Sequence, residues 1–167
     1  MNYRTLTFLI LIFICFSSFA TEREYEKEFY FMLKSSPDLF KSSVNLHEEI
    51  LALEIEPEIK SKLLDCALNE KHIYLSEFIP LFKKHLSLNE LKEVSTWLNS
   101  DYGKLWFNIH KGKADINNLP QNTIDKVNEF AGGKLMNKFN DSLVDSIKVA
   151  NSAGVKFADY CSKKAGF

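Results

Sequence analysis

Apolar residues recur at helical spacing along most of the chain, and this pattern limits the fold more than any other feature. Tyr25, Phe29, Met32 and Leu33 follow the i, i+4, i+7, i+8 rule of a helix that buries one face. Only four prolines and six glycines occur in 167 residues, and no stretch alternates polar and apolar residues over the length of a strand. The sequence therefore predicts an all-α fold, arranged as a compact multi-helix bundle.

Prolines indicate where several of the predicted helices begin or bend. Pro37 and Pro57 suit the first turn of helices that run from about 37 to 53 and from 57 onward, since proline needs no N–H there. Pro80 falls inside a helical pattern and clashes with the preceding turn, so we expect a kink or break near Phe78.

A helical pattern from Thr123 to about Asn140 predicts a further helix, and the apolar positions 143, 147, 150 and 153 carry the same pattern onward. We predict one long, bent element with these positions facing the core. Gly132, Gly133 and Gly154 are its weak points, because each glycine costs about 1 kcal/mol relative to alanine inside a helix.

Residues 1–20 have the three parts of a secretory signal peptide. Arg4 supplies a positive start, residues 6–16 form an apolar core, and Ser18 and Ala20 are the small residues that precede a cleavage site. A membrane-spanning helix needs ~20 apolar residues, so this run is too short to be one. We expect cleavage after Ala20, with a retained N-terminal anchor as the alternative.

The remaining chain, 21–167, has the size of a single helical domain with one core. Its charge is close to balance, because Arg4 is the one charged residue in the leader and the whole chain carries 21 basic and 22 acidic side chains. This balance argues against nucleic acid as a partner. No later segment approaches the length of a membrane span, so we expect no stable membrane insertion after cleavage and a periplasmic or secreted location.

Cys66 and Cys161 are the two cysteines that remain after cleavage. An even number of cysteines in an oxidising compartment favours a disulfide. By the loop-entropy model a bond across so long a separation stabilises the fold by roughly 4–5 kcal/mol. Two buried free thiols are the alternative.

A tight αα-hairpin is predicted near residues 88–111. Ser87 followed by Glu90 is a capping box, in which each side chain bonds the backbone N–H of the other residue. Ser100 caps the second helix, and Trp97 and Trp106 lie on the two helices near their shared corner.

Gly103 stands in the first turn of that second helix. A residue without a side chain there allows another segment to approach closely. The alternative is an anion site at the helix N-terminus, but the carboxylate of Asp101 would repel the ligand. We interpret the hairpin residues as structural.

The same stretch resembles the bacterial exported family catalogued as domain of unknown function 2059. The matching residues lie between about 79 and 109 and are Glu90, Leu91, Trp97, Ser100, Gly103 and Leu105. The chain departs from the family pattern at Trp97 and Leu98, where the family usually has phenylalanine and tyrosine, and at Asp101, where it has proline. The resemblance implies an exported, all-helical domain and carries over no catalytic residue.

Catalytic and metal-binding patterns are missing from the sequence, so we predict no enzyme activity, no cofactor and no metal site. His47 begins a zinc-protease-like pattern, but Leu51 stands where the second histidine is required. A hydrolase site assembled from His85, His110 and Asp101 is the weakest alternative.

The function predicted from these observations is a non-enzymatic protein-binding module of the bacterial envelope, of inhibitor or immunity type. Tyr30, Phe31 and Phe107 lie off the apolar lines of their helices and would leave aromatic surface for a protein partner. The alternative is a carrier of a small ligand or lipid, with an apolar cavity between helices. The sequence specifies neither the partner nor the oligomeric state.

Overall fold

The structure is a computed structural model that describes residues 21–34 and 50–166. The described residues contain helices, turns and no strand, which confirms the predicted all-α fold. The predicted signal peptide, 1–20, and most of the helix predicted from 37 to 53 lie outside these ranges.

The first helix, α1, covers residues 21–34, and residues 50–52 form a short helical segment. The helices that follow are α2 Pro57–Asn69, α3 Lys71–Ser76, α4 Ile79–His85, α5 Leu88–Asn99, α6 Asp101–His110, α7 Gln121–Ala131 and α8 Lys134–Ala165. A 3-10 turn, Ile116–Asn118, lies between α6 and α7. Pro57 occupies the first turn of α2. The helix is interrupted at Glu77 and Phe78, as predicted from Pro80.

Helix α8 is the central element of the fold. Its 32 residues extend for about 48 Å and contact α2, α3, α4, α5 and α7. The core that these helices share is rich in aromatic rings. Phe82 meets Phe29 at 5.0 Å and Phe139 at 6.0 Å between ring centroids, both in edge-to-face geometry.

The prediction of one long, bent helix from Thr123 is wrong in two respects. The helix ends at Ala131, Gly132 and Gly133 form a corner, and a separate helix begins at Lys134 and runs without a break through Gly154. Ile147 does not face the core, because 74% of its surface is exposed.

Serines occupy the inner positions that the apolar pattern would assign to larger residues. Ser142 and Ser146 are fully or almost fully buried. Their hydroxyls donate to the carbonyl oxygens of Lys138 and Ser142, at 2.9 and 2.7 Å. Since each hydroxyl is satisfied by the preceding turn of its own helix, it can be buried at little cost.

A disulfide joins α2 to the C-terminal part of α8. Cys66 and Cys161 are both buried, and their Cα atoms are 5.7 Å apart. The bond links residues that are 95 positions apart in sequence. It therefore holds the two helices together where α8 is farthest from the α5–α6 hairpin.

Candidate functional site

The start of the hairpin is fixed by the capping box at Ser87. The Ser87 N–H donates to Glu90 Oε2 at 2.8 Å, and the Glu90 N–H donates to Ser87 Oγ at 3.4 Å. The other Glu90 oxygen accepts from Lys138 on α8. Hydrogen bonds from Lys138 first, and then from Ser87, lower the pKa of Glu90 to about 2. The carboxylate thus stays ionised and ties the hairpin to α8.

The corner of the hairpin is closed by Ser100 alone. Its hydroxyl donates to the Trp97 carbonyl oxygen at 2.6 Å and accepts from the Gly103 N–H at 3.2 Å. Gly103 is buried, and a Cβ atom there would lie 2.2 Å from the Trp97 oxygen and 2.7 Å from Leu98 Cα. The geometry supports the packing interpretation of Gly103, because its N–H is already bonded and cannot serve an anion.

Aromatic rings cover the outside of this corner. Trp97 stacks on Phe130 of α7, with centroids 4.5 Å apart and planes 10° apart. Trp106 meets Trp97 edge-on at 6.0 Å, and its other neighbours are Phe107 at 5.0 Å and His110 at 4.2 Å. All of these aromatic residues except His110 are partly buried, so the cluster joins the core yet keeps a surface.

A groove of about 540 Å³ lies beside the Trp97–Phe130 stack. We call it the hairpin groove. Its lining residues are Glu93, Trp97, Tyr102, Lys126, Glu129, Phe130, Gly133, Lys134 and Leu135. They come from α5, α6, α7 and the beginning of α8, so the Gly132–Gly133 corner is what brings them together.

The charged side chains that line the hairpin groove differ in whether they contact another side chain. Lys126 Nζ donates to the Tyr102 hydroxyl at 3.1 Å and lies 5.3 Å from the centre of the Tyr102 ring, a cation–π contact. Glu93, Glu129 and Lys134 make no ion pair with another described residue. The groove therefore combines an apolar floor with three charged groups that can still take a partner.

A second charged cluster, three turns farther along α8 than Lys134, connects that helix to α4. Asp145 accepts from His85 Nε2 at 2.9 Å and from Lys84 and Lys148 at 2.8 Å each. Hydrogen bonds from Lys148, Lys84 and His85, in that order, lower the pKa of Asp145 well below its ordinary range. An acid held ionised by three donors is a poor proton acceptor, so the cluster is structural in character.

The three residues of the hydrolase alternative are not brought together as one constellation. His85 bonds Asp145 at the end of α4, while His110 contacts Trp106 at the end of α6, with the two rings tilted by 43°. Asp101 lies in the first turn of α6, nine residues before His110, which separates their backbones by about 14 Å along the helix.

The described residues include no group of three or more His, Cys, Asp or Glu side chains with the geometry to hold a metal ion. His47 lies outside them. Among residues 21–34 and 50–166, no helix has both the length and the hydropathy needed to cross a membrane.

The sequence pattern predicted the α5–α6 hairpin as a structural element and did not predict the hairpin groove beside it. Phe130, Glu129 and Lys126 lie on α7, where Phe130 is three residues after the buried Val127. The available signal was the aromatic residue Phe130, which stands two positions before the glycine pair.

The fold and the groove define this chain as an all-α protein with a disulfide between Cys66 and Cys161 and an aromatic surface groove. Comparison with protein-family models, curated proteins and solved structures gave no match. The resemblance to domain of unknown function 2059 therefore stays a prediction that rests on the residues between 79 and 109.

Proposed function

We propose that the protein is an exported, non-enzymatic helical protein that binds a protein partner through the hairpin groove. The observation that carries the proposal is the partly exposed Trp97–Phe130 stack, with Glu93, Glu129 and Lys134 at its rim, which make no ion pair within residues 21–34 and 50–166. Rigid aromatic residues with charged residues around them are the usual centre of a protein interface.

The rigidity of the surrounding backbone supports this proposal. The capping box at Ser87 and the corner at Ser100 and Gly103 fix α5 against α6, so Trp97 needs no ordering when a partner binds. A surface that is ordered in advance loses less entropy on binding and gains affinity from that saving.

Within this class, an inhibitor or immunity-type protein of the bacterial envelope is the particular role we propose. Export is supported by the signal-like sequence of residues 1–20 and is consistent with the bond between Cys66 and Cys161. An inhibitor acts by covering its target with a preformed surface, and the hairpin groove is such a surface.

The proposal is tested by identifying a partner and then altering the rim of the groove. Protein purified after export would be used to capture partners from an envelope extract, and each candidate would be purified and titrated by calorimetry. Glu129→Lys reverses a charge at the rim and should weaken binding at least tenfold. Glu58→Lys makes the same charge change on α2, outside the groove, and should leave binding unchanged. Equal affinities for both variants would refute the groove as the binding surface.

A carrier of a small ligand is the second candidate, and the size of the groove favours it. A volume of about 540 Å³ lies within the range of small-molecule sites. Native mass spectrometry of the exported protein distinguishes the two roles. A carrier should retain a co-purified molecule that Trp97→Ala releases, whereas a protein-binding module should show the mass of the polypeptide alone.

A further inference from the structure

Helix α2 is anchored in the core by few side chains. Of its 13 residues, Leu63 and Cys66 are buried, whereas α5, with 12 residues, buries four. Ile59, Leu64 and Ala67 are partly buried against the same core. The main contacts of α2 with the helices between 57 and 165 are with α8 and α3. One of its two buried anchors is therefore an end of the disulfide to α8.

The polar contacts that tie α2 to α8 and to the chain before it are exposed to water. Glu70, the residue that ends α2, pairs with Lys164 on α8, and the two side chains are 24% and 48% exposed. Lys60 Nζ donates to the Leu51 carbonyl oxygen at 3.1 Å, also at the surface. Exposed contacts of this kind contribute little to stability, because water competes for both partners. The closure of α2 on α8 therefore depends mainly on Leu63 and on the covalent bond.

The α5–α6 hairpin is anchored separately, toward the other end of α8. Leu91 and Leu98 of α5 are at most 1% exposed, and Glu90 pairs with Lys138 near the beginning of α8. Cys161 lies about 35 Å farther along α8 than Lys138. No residue of α2 lines the hairpin groove. An opening of α2 therefore leaves the anchors of the hairpin in place.

The disulfide is approached through a surface cavity beside α2. This cavity has a volume of about 360 Å³ and is lined by Ser61, Lys62, Asp65, Cys66 and Lys164. Cys161 is not among its lining residues, so an incoming thiolate meets Cys66 first.

Reduction by a dithiol proceeds by two exchanges. A thiolate of the dithiol attacks Cys66 Sγ, the S–S bond breaks, and Cys161 leaves as a thiolate that takes up a proton. The second thiol of the reductant then attacks the mixed disulfide, which frees Cys66 as a thiol and leaves the reductant oxidised.

We propose that the bond between Cys66 and Cys161 is a redox-sensitive clamp. A dithiol reductant opens it, α2 separates from the C-terminal part of α8, and the α5–α6 hairpin stays folded. While the bond is intact, the two helices stay together during every local opening. After reduction the buried anchors of α2 are Leu63 and a small free thiol, so α2 opens more often than the rest of the fold. The clamp does not depend on the binding role proposed for the hairpin groove.

Hydrogen exchange followed by mass spectrometry tests the clamp on the exported protein, before and after dithiothreitol is added in native buffer. Intact mass verifies that the bond is reduced. Amides of α2 should exchange at least tenfold faster in the reduced protein, whereas amides of α5 should keep their rates and serve as the internal control. Equal acceleration in α2 and α5 would mean cooperative unfolding and would overturn the proposal. Unchanged exchange in α2 would overturn it too, as would a bond that the reductant leaves intact in the folded protein.

A variant without the bond separates its loss from any other action of the reductant. Cys66→Ala combined with Cys161→Ala should show the same fast exchange in α2 with no reductant present, and the same slow exchange in α5. Re-oxidation of the reduced wild type should restore slow exchange in α2. Fast exchange that persists after the bond has re-formed, or a double variant that exchanges like the oxidised wild type, would overturn the clamp.

Discussion

Gly103→Ala is the substitution whose consequence follows most directly from the structure. The added Cβ would lie 2.2 Å from the Trp97 carbonyl oxygen, 2.7 Å from Leu98 Cα and 2.9 Å from the Leu98 carbonyl carbon. All three atoms belong to the backbone of α5, so no side chain can rotate away. Helix α6 must instead move by roughly 1 Å relative to α5, against a core packed as densely as an organic crystal.

The net cost can be set by comparing the two effects of the new methyl group. Overpacking costs about 1–3 kcal/mol, and occasionally more, and a backbone obstacle belongs at the upper end of that range. Alanine regains about 1 kcal/mol of helix propensity, and less in the first turn of a helix. We therefore expect Gly103→Ala to lower the free energy of unfolding by about 2–3 kcal/mol, which corresponds to roughly 5–10 °C in Tm for a domain of this size.

Thermal unfolding followed by circular dichroism measures this loss, and Gly154→Ala is the control. At Gly154 a Cβ atom meets nothing within 4 Å, so alanine should raise stability by up to about 1 kcal/mol when measured on dilute protein. Gly103→Ala should also change the near-ultraviolet signal, because the Trp97–Phe130 stack moves with the corner. A Gly103→Ala protein as stable as the wild type, with an unchanged tryptophan signal, would refute the close-packing argument.

Three further predictions follow from covalent and ionic contacts. Reduction of the disulfide, or the double substitution Cys66→Ser and Cys161→Ser, should lower the free energy of unfolding by about 2–5 kcal/mol. Urea denaturation measures this loss, and an unchanged free energy of unfolding would contradict the prediction. The folded pKa of Glu90 is depressed to about 2, so its contribution is complete above its ordinary pKa of 4.5 and is lost as pH falls toward 2. The stability difference between the wild type and Glu90→Gln should accordingly shrink over that interval, and a constant difference would contradict it. Asp145→Asn should lower the urea midpoint more than Asp159→Asn, because Asp145 joins two helices whereas Asp159 pairs within one.

The local parts of the fold could be predicted because their causes are local. A serine followed three residues later by a glutamate specifies a capped start whatever surrounds it, and Pro57 and Pro80 act on their own turns. The hairpin was predictable for the same reason. The buried face of α8 could not be predicted in this way. Ser142 and Ser146 lie on that face, because their hydroxyls are satisfied by carbonyl oxygens of the same helix.

The contacts that join distant segments could not be predicted from spacing. Asp145 meets His85 across 60 residues of sequence, and Trp97 meets Phe130 across the entire α6–α7 region. Both contacts depend on how the helices pack against one another. That packing cannot be deduced from the spacing of residues along a single helix. The hairpin groove is a product of such packing, so the sequence predicted the hairpin but not the groove beside it.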